Sequence, residues 1–244
     1  MLFLDEANSA SAAVSAVAYQ LTNDQCIGEH RLRKNVRIVM AGNRETDKGI
    51  TNRQPAPLSN RLTHVEAIAS AEGLALHAQD RQWPPVFVAF IHFRKELVDT
   101  YDPDKPSKTI ATPRTWEKAM TYYAAKLPED IKLAAMAGAV GDGPSGEFFG
   151  FVQSWAKIAA LMPKIVADPE KADVPEEPSL RYAVAVACSG SLEPKNASIY
   201  NTYLMRMDAE FAILAWQLAI KRDPKLFGTK EFVQFSKRYK AIFV

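Results

Sequence analysis

From about residue 68 onward, the apolar residues recur at helical spacing and no alternating strand pattern returns. The clearest face is formed by Phe148, Phe151, Val152, Trp155, Ile158 and Met162. Because 48% of the chain is hydrophobic and 24% is charged, it can bury one or two cores, and disorder is not expected. The sequence therefore predicts a folded protein that is predominantly helical.

Stripes and capping residues predict the other helices of this region. Pro84 and Pro85 precede a stripe at Val86, Phe90, Phe93 and Leu97; the run 86–93 alone would also suit a strand, but the helical spacing continues past it. Thr112 and Pro113 are predicted to start a helix that runs to about Leu127. Shorter helices are expected around Val184, Leu204, Leu218 and Phe235. Residues 141–146 are predicted to form an interhelix loop, and residues 168–178, rich in proline and acids, a surface linker.

The first 67 residues have a different pattern. Residues 2–4 suit a short buried strand, residues 26–32 an extended or hairpin segment, and residues 36–40 a second strand. Between them, Val14, Val17, Ala18 and Leu21 would share one face of a helix. Strand, helix and strand in this order predict an α/β layer.

Two acids follow the first predicted strand directly. In Leu2-Phe3-Leu4-Asp5-Glu6, an apolar run is followed by an aspartate and a glutamate, which is the form of a Walker B element. Nucleotide hydrolysis needs one carboxylate to hold Mg²⁺ and a second group to orient or deprotonate the attacking water. The alternative is an ordinary strand end with two solvated acids.

Further polar candidates lie downstream. Asn43 follows the second predicted strand and would project beside the two acids if the strands are neighbours; it could also be a simple turn residue. Arg61 follows a proline-bearing loop, and Arg114 opens a predicted helix. Arginines near helix starts are most often solvated surface residues, so both interpretations stay open. The four histidines have no metal-ligand spacing, and the four tryptophans are expected to be core anchors.

Together these segments resemble MoxR-like AAA+ ATPases of bacteria and phages. The similar stretches are LFLDEANSA, QLTNDQCIGEHRL, NVRIVMAGN and LSNRLTHVEA, followed by FRKELVDTYDPD and TPRTW. The resemblance implies an α/β remnant of an AAA+ P-loop NTPase core in residues 1–67, followed by a helical lid in residues 68–127. Residues 128–244 would be a helical C-terminal region, for which the resemblance is much less specific.

The resemblance also implies roles in ATP hydrolysis. Asp5 would act on Mg²⁺ through water, Glu6 would be the general base that positions the lytic water, and Asn43 would be the sensor 1 residue. Arg61 would be an arginine finger that reaches ATP in a neighbouring subunit, because a guanidinium fork matches phosphate oxygens. Arg114 would be sensor 2.

The same resemblance implies an assembly. Arg53 is an alternative arginine finger, and either finger requires a homo-oligomeric ring, expected to be a hexamer. Members of this group remodel or activate partner proteins, often together with a von Willebrand factor A domain protein. ATP and Mg²⁺ are therefore the expected cofactors, and a remodelled protein the expected substrate.

One required motif is missing from the 244 residues. A working member needs GxxxxGK[ST], whose backbone amides and lysine hold the β- and γ-phosphates. The glycine-rich residues 141–146 lack the lysine and contain Asp142, which would repel phosphate. The P-loop precedes Walker B in this family, so a partial chain with Met1 inside a strand is expected, and these residues by themselves should bind ATP poorly or not at all.

Two competing hypotheses remain. The chain could be a non-catalytic helical protein-interaction module that keeps AAA+ residues as relics. Nucleic-acid binding through the clusters 221–222 and 237–240 is less expected, because their charges suit an ordinary solvated helix face and the net charge is only +2. Cys26 and Cys188 form no ligand pattern, and no run approaches the length of a signal or membrane segment, so a cytoplasmic protein that does not enter membranes is expected.

Overall fold

The computed structural model describes residues 1–44, 56–105 and 107–239, and it is predominantly helical, as predicted. The chain divides into two compact units. Unit 1 comprises Met1–Ile68 and Asp102–Pro106, and unit 2 comprises Ala69–Tyr101 and Ser107–Val244. Within the described residues, every helix is too short or too polar to cross a bilayer.

Unit 1 contains the predicted strands, hairpin and first helix, but the prediction that residues 2–4 are buried is wrong, since Phe3 is 52% exposed. Its elements are β1 (Leu2–Leu4), α1 (Ala12–Asp24), β2 (Cys26–Ile27), β3 (His30–Arg31), β4 (Ile38–Met40) and α2 (Ala56–Ser59). β1 and β4 pair in parallel, with Leu2 opposite Ile38 and Leu4 opposite Met40. β2 and β3 form an antiparallel hairpin, which turns at Gly28 with a φ of 57°.

The predicted apolar face of α1 is wrong for its N-terminal half. The side chains of Val14 and Val17 are 60% and 40% exposed, whereas Leu21 is 3% exposed. The helix packs against β2 and α2, which contribute the buried residues Cys26 and Leu58. Helical spacing placed the valines on one side, but the described elements of unit 1 cover the helix only toward its C-terminal end.

Unit 2 is built from nine described helices. They are α3 (Ala71–Asp80), α4 (Pro85–Phe93), α5 (Pro113–Ala124), α6 (Glu129–Val140), α7 (Asp142–Ala167), α8 (Pro178–Ser191), α9 (Ala197–Leu204), α10 (Ala209–Arg222) and α11 (Lys230–Arg238). α4 is central, because it packs against α3, α7 and α8. Every residue from Val86 to His92 is accordingly buried.

Aromatic side chains fill the core of unit 2. The rings of Phe87, Phe90, Trp116 and Phe148 lie 5.2 to 6.2 Å apart, mostly edge to face. The Trp116 indole N–H donates to the Leu97 carbonyl at 2.8 Å, which satisfies its polar atom inside the core. Of the four tryptophans predicted to anchor the core, Trp116 and Trp216 are fully buried, and Trp83 and Trp155 pack against the core but are only partly buried.

Three helix boundaries differ from the predictions. α4 ends at Phe93, and Leu97 lies in a separate 3-10 turn. Residues 142–146 form the first turns of α7, so the predicted loop is wrong. The chain turns from α6 into α7 at Gly141 alone, whose φ of 97° favours glycine. The helix from Thr112 ends at Ala124, earlier than expected, and the start at Pro113 is confirmed.

Residues 168–178 are fixed to the rest of unit 2. The Tyr203 hydroxyl donates to the Asp173 carbonyl at 2.8 Å. The Arg206 guanidinium donates to the carbonyls of Pro169 and Ala172 at 2.8 and 2.7 Å. This acidic segment is therefore an ordered connection from α7 to α8, because its carbonyl oxygens have side-chain donors.

Both cysteines are core residues, as predicted. Cys26 lies in unit 1 and Cys188 in unit 2, and both are buried free thiols. Burial raises the pKa of the Cys188 thiol to about 12. Because the thiolate is the reactive form, Cys188 is inert at neutral pH.

Candidate functional site

Asp5 and Glu6 lie in a tight turn at the carboxyl end of β1, and both are exposed. The Glu6 N–H donates to Asp5 Oδ1 at 3.0 Å, and the Ser9 hydroxyl donates to Glu6 Oε2 at 2.8 Å. Glu6 has a φ of 54°, a left-handed conformation that costs a non-glycine residue about 1 kcal/mol or more. The turn thus holds two oriented carboxylates at the end of a strand.

Asn43 follows β4 at the same end of this two-stranded sheet. Because β1 and β4 are parallel, the loops that follow them meet there. The Ala7 N–H donates to the Ala41 carbonyl at 2.8 Å, and Asn8 Nδ2 donates to the Asn43 carbonyl at 2.5 Å. The two strands are neighbours, which is the condition on which the Asn43 hypothesis depends, and these bonds join the acid-bearing turn to the Asn43 loop.

Gly42 allows the close approach of Asn8 at this junction. A Cβ atom at position 42 would lie 2.2 Å from Asn8 Oδ1 and 2.7 Å from Asn8 Cγ. Those distances are far below van der Waals contact, so any other residue would displace the Asn8 amide. Asn8 Oδ1 is itself buried, and no described group donates a hydrogen bond to it.

A cavity of about 540 Å³ adjoins the junction. Its lining consists of Ala7, Asn8, residues 38–43 and residues 61–65. The β4 side chains Ile38 and Met40 supply apolar surface, and Asn43 and Arg61 supply polar groups. This volume falls in the range of small-molecule sites.

Arg61 is held at the cavity by two elements of unit 1. Its Nε donates to Asn23 Oδ1 at the end of α1, at 3.3 Å. Its backbone N–H donates to the Leu58 carbonyl at 3.0 Å, which closes the turn after α2. The structure thus brings Arg61 and Asn43 to one cavity, whereas Asp5 and Glu6 lie outside its lining.

Arg114 lies in unit 2, in the first turn of α5, and is exposed. The helix start is well defined, because Thr112 Oγ1 accepts from the Thr115 N–H at 3.2 Å and Thr115 Oγ1 accepts from the Thr112 N–H at 2.8 Å. The alternative finger Arg53 lies outside the described residues.

The oxygen donors at the end of β1 suit a hard divalent cation. Across the described ranges, no three or more His, Cys, Asp or Glu side chains are grouped so that they could enclose a metal ion. Mg²⁺, however, is commonly held by one or two carboxylates, with waters and substrate phosphates as its other ligands. The exposed pair Asp5 and Glu6 fits that mode and no all-protein metal cage.

Two residues of this site were not predicted from the sequence. In the sequence, Asn8 is of a residue type that caps helices, and Gly42 begins a loop rich in Gly, Asn and Pro, so neither residue pointed to the site. The available signal was their position, since each lies beside a predicted catalytic residue in a loop that follows a strand.

Comparison of the chain with protein-family models, with curated proteins and with solved structures gave no match.

Proposed function

We propose that this chain supplies the Walker B and sensor 1 side of the ATP-hydrolysing site of a ring-forming, MoxR-like AAA+ ATPase. One observation carries the proposal. The parallel pairing of β1 with β4 brings Asp5, Glu6 and Asn43 to the same end of a sheet, and Asn8 joins the two loops. Open α/β sheets bind ligands at the carboxyl ends of their strands.

Asp5 and Glu6 would have different roles in ATP hydrolysis. Bound Mg²⁺ would neutralise charge that develops on the phosphates. Asp5 would hold that ion through water, and its Oδ1 is already oriented by the Glu6 N–H. Glu6 would accept a hydrogen bond from the attacking water. The left-handed turn would help to orient the Glu6 carboxylate toward that water.

The polar groups at the end of β4 would complete the water site. Asn43 has its backbone fixed by Asn8, so its side-chain amide can orient the same water with little loss of entropy. Arg61 and Arg114 would neutralise the γ-phosphate as arginine finger and sensor 2. In a hexameric ring, Arg61 would serve the ATP of the adjacent subunit, and the assembly would act on protein substrates together with a von Willebrand factor A domain protein.

The proposal requires a P-loop that these 244 residues do not contain. Residues 142–146 lie in α7, where their amide groups belong to a helix instead of a phosphate-binding loop. The phosphate-binding half would therefore have to come from other residues. A cytoplasmic location, where ATP is abundant, belongs to the same proposal.

The test begins with the reading frame that precedes the Met1 codon in the source DNA. Translation in frame is expected to reveal GxxxxGK[ST]; a stop codon without that motif would refute the proposal. The chain that includes the motif should hydrolyse ATP. In it, Glu6→Gln should lower kcat by about 10²-fold or more while ATP still binds.

A matched variant separates catalysis from loss of charge. Glu29→Gln removes another exposed acid of unit 1 and is expected to leave turnover unchanged. Equal effects of the two substitutions would mean that Glu6 has no special role. In that case Asp5 and Glu6 would be solvated acids at a strand end.

The second candidate is a non-catalytic helical interaction module. It is favoured by the separate core of unit 2, which is closed around Trp116 and Trp216, while Asp5, Glu6, Asn43 and Arg61 all lie in unit 1. On this hypothesis Glu6→Gln changes neither nucleotide binding nor oligomeric state. The same ATPase and binding assays therefore distinguish the two candidates.

A further inference from the structure

A dense group of basic side chains begins in β3 and continues to the residue before β4. Residues 29–37, which we call the basic segment, read Glu-His-Arg-Leu-Arg-Lys-Asn-Val-Arg. They include four permanent cations and one acid, whereas the whole chain carries a net charge of +2. Averaging over the sequence therefore conceals a local excess of positive charge.

The cations of the basic segment are exposed and have no acidic partners among the described residues. Arg31, Arg33, Lys34 and Arg37 are all exposed, and none forms an ion pair or side-chain hydrogen bond with the described residues. Elsewhere, basic residues pair with carboxylates, as in Arg44 with Glu66 and Lys95 with Glu72. A cluster of like charges raises the free energy of the fold unless an anion neutralises it.

The backbone of the basic segment is nevertheless fixed. Its hairpin turn is tied to α1, because the Gly28 N–H donates to Gln20 Oε1 at 3.1 Å. The Leu32 N–H donates to the Gln25 carbonyl at 2.7 Å, and the Val36 N–H to the Arg33 carbonyl at 2.9 Å. The cations thus project from a preorganised support, which lowers the entropic cost of binding.

We propose that the basic segment binds the phosphate backbone of nucleic acid. Three of its four cations are arginines, whose guanidinium fork matches phosphate oxygens better than a lysine ammonium does. The segment contains no Trp, Tyr or Phe on which bases could stack. Binding therefore reads phosphates and is insensitive to base sequence.

The length of the basic segment fits a short stretch of one strand. The seven residues 31–37, which carry the four cations, extend at most about 25 Å, and phosphates are spaced about 3.4 Å apart along one strand of a duplex. One oligonucleotide can therefore contact Arg31, Arg33, Lys34 and Arg37 together. This inference is independent of the proposed ATPase, because it involves neither Asp5 nor Glu6.

The experiment is a titration of the 244-residue protein into a fluorescent oligothymidine of about 20 nucleotides, followed by anisotropy at several salt concentrations. Four phosphate contacts predict a slope of log K against log salt near −2.8, hence about fiftyfold weaker binding at 200 mM than at 50 mM salt. A variant with Arg31→Gln, Arg33→Gln, Lys34→Gln and Arg37→Gln should lose this binding. Each single substitution should reduce the slope by about 0.7.

A matched control removes four other exposed cations: Lys157→Gln, Lys221→Gln, Lys225→Gln and Lys237→Gln. It has the same net charge as the fourfold arginine and lysine variant, and it should bind like the unsubstituted protein. Hydrogen exchange at the β2–β3 amides checks that the hairpin persists in every variant. If the hairpin is lost in the fourfold variant, the single variants and their slopes decide.

Four results would overturn the proposal. The first is no binding at low salt, and the second is an equal loss in the lysine control, which would assign binding to net charge. The third is displacement of the oligonucleotide by polyglutamate at equal charge concentration, which would indicate an acidic protein partner. The fourth is preferential binding to phosphatidylserine vesicles, which would indicate a membrane surface.

Discussion

His92 makes the stability of unit 2 depend on pH. It lies in α4, is 7% exposed, and its Nε2 atom has no hydrogen-bond partner among the described residues. Burial lowers the pKa of His92 from 6.5 to about 4; the nearby Lys95 lowers it further, and Glu72 opposes the shift. The folded state therefore holds a neutral imidazole at pH values where the unfolded chain is protonated.

The size of the effect follows from this difference in pKa. As the pH falls below 6.5, His92 becomes protonated in the unfolded state, whereas in the folded state it stays neutral until about pH 4. The free energy of unfolding therefore decreases between pH 6.5 and pH 4. The full loss is about 3.4 kcal/mol, of which about 1.8 kcal/mol falls between pH 7 and pH 5. Below pH 4 both states are protonated, and His92 causes no further loss.

Urea unfolding followed by tryptophan fluorescence measures this loss. All four tryptophans lie in unit 2, so the signal reports that unit. His92→Leu should reduce the decrease in unfolding free energy between pH 7 and pH 5 by about 1.8 kcal/mol. At pH 7 the variant should be as stable as the unsubstituted protein or more stable by about 1 kcal/mol, because it removes an unsatisfied buried nitrogen.

His77→Gln supplies the matched control, since it removes a half-exposed imidazole from the same unit. Subtracting its pH dependence isolates the part caused by burial. Parallel pH profiles for the unsubstituted protein and His92→Leu would refute the reasoning. That result would mean that His92 is protonated in the folded state or reaches solvent.

Two further substitutions test local geometry. Gly42→Ala should displace the Asn8 amide, because its Cβ would lie 2.2 Å from Asn8 Oδ1; amide exchange at residues 5–9 should speed up by about one to two orders of magnitude, corresponding to about 1–3 kcal/mol. Unchanged exchange would show that the junction adapts. Thr112→Ala should lower the urea stability of unit 2 by about 1–2 kcal/mol by removing the cap of α5, whereas Thr112→Ser should retain most of it.

The two strands of the candidate site were predictable from local patterns, but their pairing was not. An apolar run followed by acids, and a second run followed by a polar residue, indicate strands whose ends carry function. Parallel pairing then places Asp5, Glu6 and Asn43 at one end of the sheet. Arg61 was predictable as a residue of interest, but its bond to Asn23 joins positions far apart in sequence.

The helical region exposed the limits of periodicity. Spacing predicted α7 but not its first turn, because Gly141, Gly143, Pro144 and Gly146 are typical of loops. α6 escaped notice, since its small alanines and glycine spread around the helix and mark no clear face. In α1 the spacing was helical, yet Val14 is exposed, because periodicity reports a shared face and cannot tell whether another element covers it.

The candidate site is held together by different forces from those that stabilise unit 2. Deleting a buried ring such as Trp116 costs about 3–5 kcal/mol, whereas each hydrogen bond that joins the loops after β1 and β4 contributes about 0.5–1.5 kcal/mol. The adjacent pair Phe3 and Val39 is 52% and 42% exposed, so apolar burial adds little there. Hydropathy patterns located the strands because their residues are apolar, although the strands are only partly buried. Such patterns carry no information on Asn8 and Gly42, which approach each other closely where the two loops meet.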